Sequence, residues 1–194
     1  MKDSNTEILG NVHSIETLGA FDGPGIRYVL FLQGCALKCK FCHNRDTWST
    51  QDNRLMTTTE ILNDYKRYKA FYKGGGLTVS GGEATLQIKF LIKLFKEAKE
   101  QGIHTCLDTS AGTFNETRLN DFDELLNYTD LVLLDIKHID NEVHKWLVGA
   151  PNDNILKFSR HLSDRKIPTV LRHVLLPGIN SDINNLKNLR EFID

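Results

Sequence analysis

The sequence predicts an α/β protein built on a mostly parallel sheet, and three observations predict it. Short apolar, β-branched runs alternate with segments of helical periodicity along the chain. One run, DLVLLDIK at 130–137, is continuously apolar over its middle, as a strand covered on both faces must be. The chain of 194 residues is also long enough to bury a sizeable core.

The elements follow in order. IRYVLFLQ at 26–33 reads as the first strand and ends in Gly34 and a cysteine loop. Thr57 and Glu60 stand at capping-box spacing and open a helix over 57–69, with Ile61, Tyr65 and Tyr68 on one face. A glycine turn at 74–76 leads into LTVS at 77–80, the second strand. Ile88, Leu91, Ile92 and Phe95 mark the next helix, which stops at Gly102. IHTCLD at 103–108 is the third strand, and Leu119, Phe122, Leu125 and Leu126 mark a short helix. Residues 130–137 are the fourth strand. Val143, Trp146 and Leu147 mark a helix ending near Gly149, and Ile155, Phe158, Ser159 and Leu162 form the inner face of another. TVLRHVLLP at 169–177 is the fifth strand, and Leu186, Leu189 and Ile193 give a last amphipathic helix. Five strands are too few for an eight-fold barrel, so an open or partial barrel and a doubly wound sheet both fit.

Composition excludes several classes of function. A net charge of -1 offers no electrostatic case for nucleic acid or an anionic membrane as partner. No apolar run reaches the length of a membrane span. The first residues, MKDSNTEILG, lack the apolar core of a signal peptide, and a cytoplasmic location is expected. In a reducing compartment the four cysteines point to metal or catalysis before disulfides. Cys106 lies in an apolar run and reads as a buried small hydrophobe.

Chemistry collects at the ends of the strands. After the first come Cys35, Cys39 and Cys42, spaced CxxxCxxC. Three thiolates can hold an iron–sulfur cluster and leave one iron open to a ligand. Structural zinc on Cys35, Cys39, Cys42 and His43 is the alternative. After the second strand comes Ser80-Gly81-Gly82-Glu83, where glycines let a ligand approach the backbone and Glu83 can receive an ammonium group. Asp108 and Thr109 end the third strand and offer oxygen to a ribose or a hard cation, and Asp135-Ile136-Lys137 ends the fourth. Arg172, in the fifth, presents a planar fork suited to a carboxylate. Each taken singly has a turn, cap or surface explanation. Placed on one rim, they suit an amino-acid-like ligand.

These residues resemble the radical S-adenosylmethionine (SAM) superfamily, and within it the glycyl-radical-enzyme activases. HSIETLGAFDGPGIRYVLFLQGC at 13–35, CKFCHNRDTW at 39–48, GGGLTVSGGEATLQ at 74–87, GIHTCLDTS at 102–110 and TDLVLLDIKHID at 129–140 carry the resemblance, with the stretch around Arg172 and Pro177-Gly178. Residues 49–75 contain no cysteine, where several activases have a ferredoxin-like insertion. That narrows the resemblance to the compact type whose protein substrate is pyruvate formate-lyase.

The resemblance implies a single radical SAM domain over 1–194, a partial (β/α)6 TIM-like barrel. Its sixth strand, with a histidine after it that helps hold SAM, has no counterpart before Asp194, so a C-terminal strand and helix are expected to be missing. The usual Gly-Gly-Glu-Pro ends here in Ala84. It implies a [4Fe-4S] cluster on Cys35, Cys39 and Cys42, without a side chain acting as acid or base. SAM would be held by Phe41, Cys42, His43, Gly82, Glu83, Asp108, Thr109, Asp135, Ile136, Lys137 and Arg172, with a monovalent cation beside its carboxylate. Asp22, in the Asp22-Gly23-Pro24-Gly25 turn, would face the partner's glycyl loop. A flavodoxin or ferredoxin would supply the electron under anaerobic conditions. SAM would then yield a 5′-deoxyadenosyl radical that takes hydrogen from a backbone glycine of the partner. A monomer is expected.

Overall fold

A computed structural model describes residues 7–51 and 53–194. The reading of the first six residues as lacking a signal lies outside them. The five expected strands form the parallel part of one sheet: β2 (Arg27–Leu32), β4 (Gly76–Gly81), β5 (Thr105–Thr109), β6 (Leu131–Asp135) and β7 (Thr169–Arg172), side by side in that order. Two strands that the sequence reading passed over extend the sheet beyond β2. β1 (Gly10–Gly19) pairs antiparallel with β2, and β3 (Arg54–Met56) pairs antiparallel with β1. The fifth strand ends at Arg172 rather than at 177, because the chain leaves the sheet before Pro177.

Strand alternation sorts the sheet into two faces. Tyr28, Leu30, Leu32, Leu77, Val79, Leu107, Val132 and Leu134 pack into the main core against the helices. The opposite face carries Phe31, Ser80, Asp108, Asp135 and Arg172, so the charged side chains of β5, β6 and β7 all turn one way.

The helices are those the periodicity indicates. α1 (Thr58–Tyr68) begins with a complete Thr57–Glu60 capping box. α2 (Ile88–Glu100), α3 (Leu119–Leu126) and α5 (Asp153–Asp164) bury Phe95, Phe122 and Phe158 respectively. α4 (Asn141–Val148) ends on Gly149 in the left-handed conformation (φ 81°), the role for which glycine is suited. Of the residues that mark α4, Leu147 is buried with Val148, while Trp146 is 55% exposed. α6 (Ile183–Ile193) packs through Leu189 and Phe192, while Ile193 points outward. No helix is long and apolar enough to cross a membrane among the described residues.

Candidate active site

The C-terminal ends of all five parallel strands line one cleft of about 420 Å³. Cys35, Cys39 and Cys42 form one wall. The loop that carries them is fixed by its backbone: Lys38 N–H donates to the Val148 carbonyl at 2.8 Å, and Lys40 N–H to that of Leu147 at 2.9 Å. Leu37, Leu147 and Val148 form a small apolar cluster, against which Cys35, Cys39 and Phe41 pack. Burial pushes the Cys35 thiol up to about 11 and raises that of Cys39, the latter against the pull of Lys137.

This donor set fits an iron–sulfur group. All three thiols are unpaired and half-buried, they share one wall, and their apolar surround suits neutral thiols until a metal displaces the protons. Among the described residues no three His, Cys, Asp or Glu side chains converge as a shell for a single ion. That holds for the three thiols themselves as for the alternative zinc set of Cys35, Cys39, Cys42 and His43.

The facing wall is a chain of alternating charges. Lys137 Nζ donates to Asp135 Oδ2 at 2.6 Å. Arg172 Nε donates to Asp135 Oδ1 at 3.1 Å, while its Nη2 donates to Asp108 Oδ1. Asp108 Oδ2 accepts from Ser80 Oγ at 2.8 Å. Burial pushes the Asp108 carboxyl up to about 6, against Arg172 and with help from Asp135. Burial also opposes the Arg172 charge, yet Asp108 and Asp135 outweigh it and raise that group. Lys137 reaches back towards the cysteine wall, its Nζ 5.6 Å from the Phe41 ring centroid. Two cations and two carboxylates thus balance within this chain of charges, and Asp22 adds a third carboxylate to the cleft lining.

Most of the residues singled out from the sequence meet here. Asp22, Phe41, His43, Gly82, Thr109 and the charged residues just described all line the cleft with the cysteines. A Cβ at Gly82 would lie 2.2 Å from the Gly34 carbonyl oxygen, so only glycine lets the two loops touch.

Two of the residues singled out from the sequence lie off the cleft wall. Ile136 is buried in the core, where only its backbone reaches the site's surroundings, accepting from His173 Nδ1 at 2.6 Å. Glu83 is 2% exposed and is not on the cleft wall. Its Oε1 accepts from Thr85 N (3.1 Å), Thr85 Oγ1 (2.6 Å) and Thr109 Oγ1 (2.5 Å). Its Oε2 accepts from Ser110 N (3.0 Å) and Ser110 Oγ (2.6 Å). The carboxylate is filled by neutral donors of its own chain and ties the β4 loop to the β5 loop.

The sequence reading also missed contributors. Phe31, Ser110, Val174 and Leu176 line the cleft. Phe31 could have been found from its position two residues after Val29, on the face that also carries the charges.

Comparison with known proteins bears on the same residues. The model of the radical SAM superfamily matches residues 29–189. Pyruvate formate-lyase-activating enzyme of Staphylococcus epidermidis is 54% identical over 190 residues, which are 95% of this chain and 76% of that protein; its Staphylococcus aureus counterpart matches to the same extent. Among solved structures, a domain of pyruvate-formate lyase-activating enzyme from Bacteroides vulgatus is similar with a TM-score of 0.56 and 35% identity, covering 61% of this chain and 71% of that one. Streptococcus suis SuiB bound to S-adenosylmethionine has a TM-score of 0.63 at 20% identity, over 81% of this chain and 35% of that one, a likeness of fold alone.

Proposed function

The chain belongs to the radical SAM superfamily, and on that premise we propose that it activates pyruvate formate-lyase. A [4Fe-4S] cluster and SAM, when bound, would supply the reduction of SAM to methionine and a 5′-deoxyadenosyl radical, which takes a hydrogen atom from a backbone glycine of the partner enzyme. The observation that carries this reading is one cleft with three thiols on one wall and a neutralised Lys137–Asp135–Arg172–Asp108 chain on the other.

Each wall has a task in that reading. Cys35, Cys39 and Cys42 would hold the cluster in its apolar surround, where solvent access is restricted. SAM carries both an ammonium and a carboxylate, so it can enter the charge chain by exchange: its carboxylate takes a cation from one aspartate, and its ammonium takes that cation's place beside the aspartate. That exchange is neutral in itself, while the sulfonium of SAM adds one positive charge to the cleft. Lys137 and Arg172 are the carboxylate partners, with Asp108 and Asp135 the acceptors for ammonium, ribose hydroxyls or a monovalent cation. Phe41 and His43 offer ring faces to the adenine. Glu83 serves by holding Thr109 and Ser110 rather than by touching the ligand.

The partner would approach at Asp22. That residue lines the cleft, and Phe21, which precedes it in the chain, is 93% exposed, a large apolar side chain free for a contact. A flavodoxin or ferredoxin would serve as reductant. Anaerobic reconstitution with iron and sulfide, followed by SAM, reductant and purified pyruvate formate-lyase, should produce a glycyl radical visible by electron paramagnetic resonance. A cluster-loaded protein that cleaves SAM but leaves the partner radical-free would sink the assignment of substrate. Asp22→Ala should lower the radical yield while SAM affinity stays within about twofold.

A further inference from the structure

Both tryptophans of the chain, Trp48 and Trp146, stand against the cysteine loop, and each lies under a lysine from it. Lys38 Nζ is 4.8 Å from the Trp48 ring centroid, and Lys40 Nζ is 3.5 Å from that of Trp146. The Arg45 guanidinium lies 5.6 Å from the Trp48 ring and donates to the Lys40 carbonyl at 2.9 Å. The loop alternates. Leu37 is buried and Cys35 and Cys39 are half-buried, while Ala36, Lys38 and Lys40 are exposed. The bonds from Lys38 N and Lys40 N to the end of α4 hold that alternation.

Each lysine is therefore one residue from Cys39, on the solvent side of the segment whose inner side carries the thiols. Among the described residues, Lys38, Lys40 and Arg45 enter no ion pair. The acids of the neighbouring segments, Asp46 and Glu142, are bonded to His13 and Lys145. In a chain with a net charge of -1, three such cations on one loop are a local feature. Aromatic rings hold the cations in place, and Trp with Arg is the composition of protein–protein hot spots.

We propose that this face docks an acidic one-electron carrier protein and so delivers the electron that the proposed reaction consumes. The inference rests on that reaction. The carrier's reduced flavin or iron–sulfur group loses one electron, and the metal group on the three cysteines gains it; no bond or proton moves. Docking here places the carrier over the loop that holds the acceptor. Trp48 also lines the cleft, so the docked carrier would sit beside the mouth that Asp22 shares. Charge complementarity at such a rim sets association rate and salt dependence more than buried area does.

The test titrates the cluster-loaded full chain with oxidised flavodoxin by isothermal titration calorimetry, with cytochrome c as a basic control. Flavodoxin should bind, bind more weakly as salt rises, and change the fluorescence of Trp48 and Trp146, which are the chain's entire tryptophan complement. The double variant Lys38→Glu/Lys40→Glu should bind it about tenfold or more weakly. Lys38→Gln/Lys40→Gln should fall between, and both variants should keep the urea midpoint. No binding by the unmodified chain, equal binding by the charge-reversed variant, or equal binding of cytochrome c each overturns the proposal. Cleavage of SAM with dithionite separates the two readings. If the unmodified chain fails there, the proposed function falls; if it succeeds while charge reversal leaves flavodoxin-driven cleavage intact, only the docking face falls.

Discussion

Two arginines lie on the sheet face that forms the site, and they are held in opposite ways. Arg27, from β2, is fully buried and enters no ion pair among the described residues. Its Nε donates to Thr78 Oγ1 at 2.5 Å, Nη1 to the Pro24 carbonyl at 3.1 Å and Nη2 to the Leu77 carbonyl at 2.9 Å. Thr78 Oγ1 in turn donates to the Asp22 carbonyl at 2.7 Å. Arg172, from β7, is about one-third exposed and forks between two carboxylates. The first arginine is bound by neutral groups that no ligand could replace, so it fastens the Asp22–Gly25 turn to the sheet. The second is bound by charges that a ligand's own charges can replace. Burial with fixed neutral partners marks structure, and partial exposure with exchangeable charged partners marks a site.

The largest effect that would break this contrast is on stability. Arg27→Met should lower the free energy of unfolding by about 4 kcal/mol, because it leaves buried carbonyls without donors and a turn without its anchor. Urea denaturation measures this. A loss under about 1 kcal/mol would mean that Arg27 is not the fastening it looks to be.

How much of this was legible beforehand follows from the kind of interaction involved. β2 and β6 could be read because a strand buried in a parallel sheet must be apolar, whatever its neighbours. β1 could not. Its run GNVHSIETLG is half-buried and interrupted by charge, and it is a strand because β2 offers it an edge. The rim was legible because parallel strands deliver their C-terminal residues to one side, so CxxxCxxC, Asp108, Asp135 and Arg172 had to meet. Partners within it were not. Arg27 sits in a motif whose value at sequence level was family resemblance, and its acceptors at Leu77 and Thr78 lie on another strand. Glu83 looked available for an ammonium because the hydroxyls of Thr109 and Ser110 that fill it come from the next βα unit. Trp146 has apolar spacing on α4, yet its place over Lys40 is set by the cysteine loop.

The second effect concerns pH. The Asp108 carboxyl has its folded value pushed from 3.8 to about 6, so between those values the native state holds more proton than the unfolded chain. Stability contributed by Asp108 is greatest below 3.8 and declines as pH rises through 6, by up to about 3 kcal/mol. Asp108→Asn removes that decline. The difference in urea-unfolding free energy, native chain minus variant, should therefore fall from pH 4 to pH 7. A difference that stays level would show that Arg172 neutralises Asp108 fully.

Glu83→Gln comes third. Five hydrogen bonds to a buried carboxylate become bonds to an amide that must also place two N–H groups among donors, so about 2 kcal/mol of stability should be lost. Thermal unfolding with and without SAM decides the role. If stability falls and SAM still raises the midpoint, Glu83 is a tie between loops. If stability holds and the SAM-induced rise disappears, the original reading of Glu83 as an ammonium acceptor returns.

Arg172→Met is the counterpart of the first substitution and should be the mildest in its effect on the fold. Asp135 keeps Lys137 at 2.6 Å and Asp108 keeps the Ser80 hydroxyl at 2.8 Å, so neither carboxylate is left wholly unpartnered. A stability loss of about 1 kcal/mol or less is expected, since the guanidinium is partly in water and its pairing is screened accordingly. SAM affinity of the cluster-loaded protein should drop about tenfold, equivalent to 1.4 kcal/mol, through loss of one carboxylate partner. Calorimetric titration with SAM and urea unfolding of the same preparation give the two numbers together. A stability loss as large as that of Arg27→Met, with SAM affinity unchanged, would erase the distinction between the two arginines and return Arg172 to the framework of the sheet.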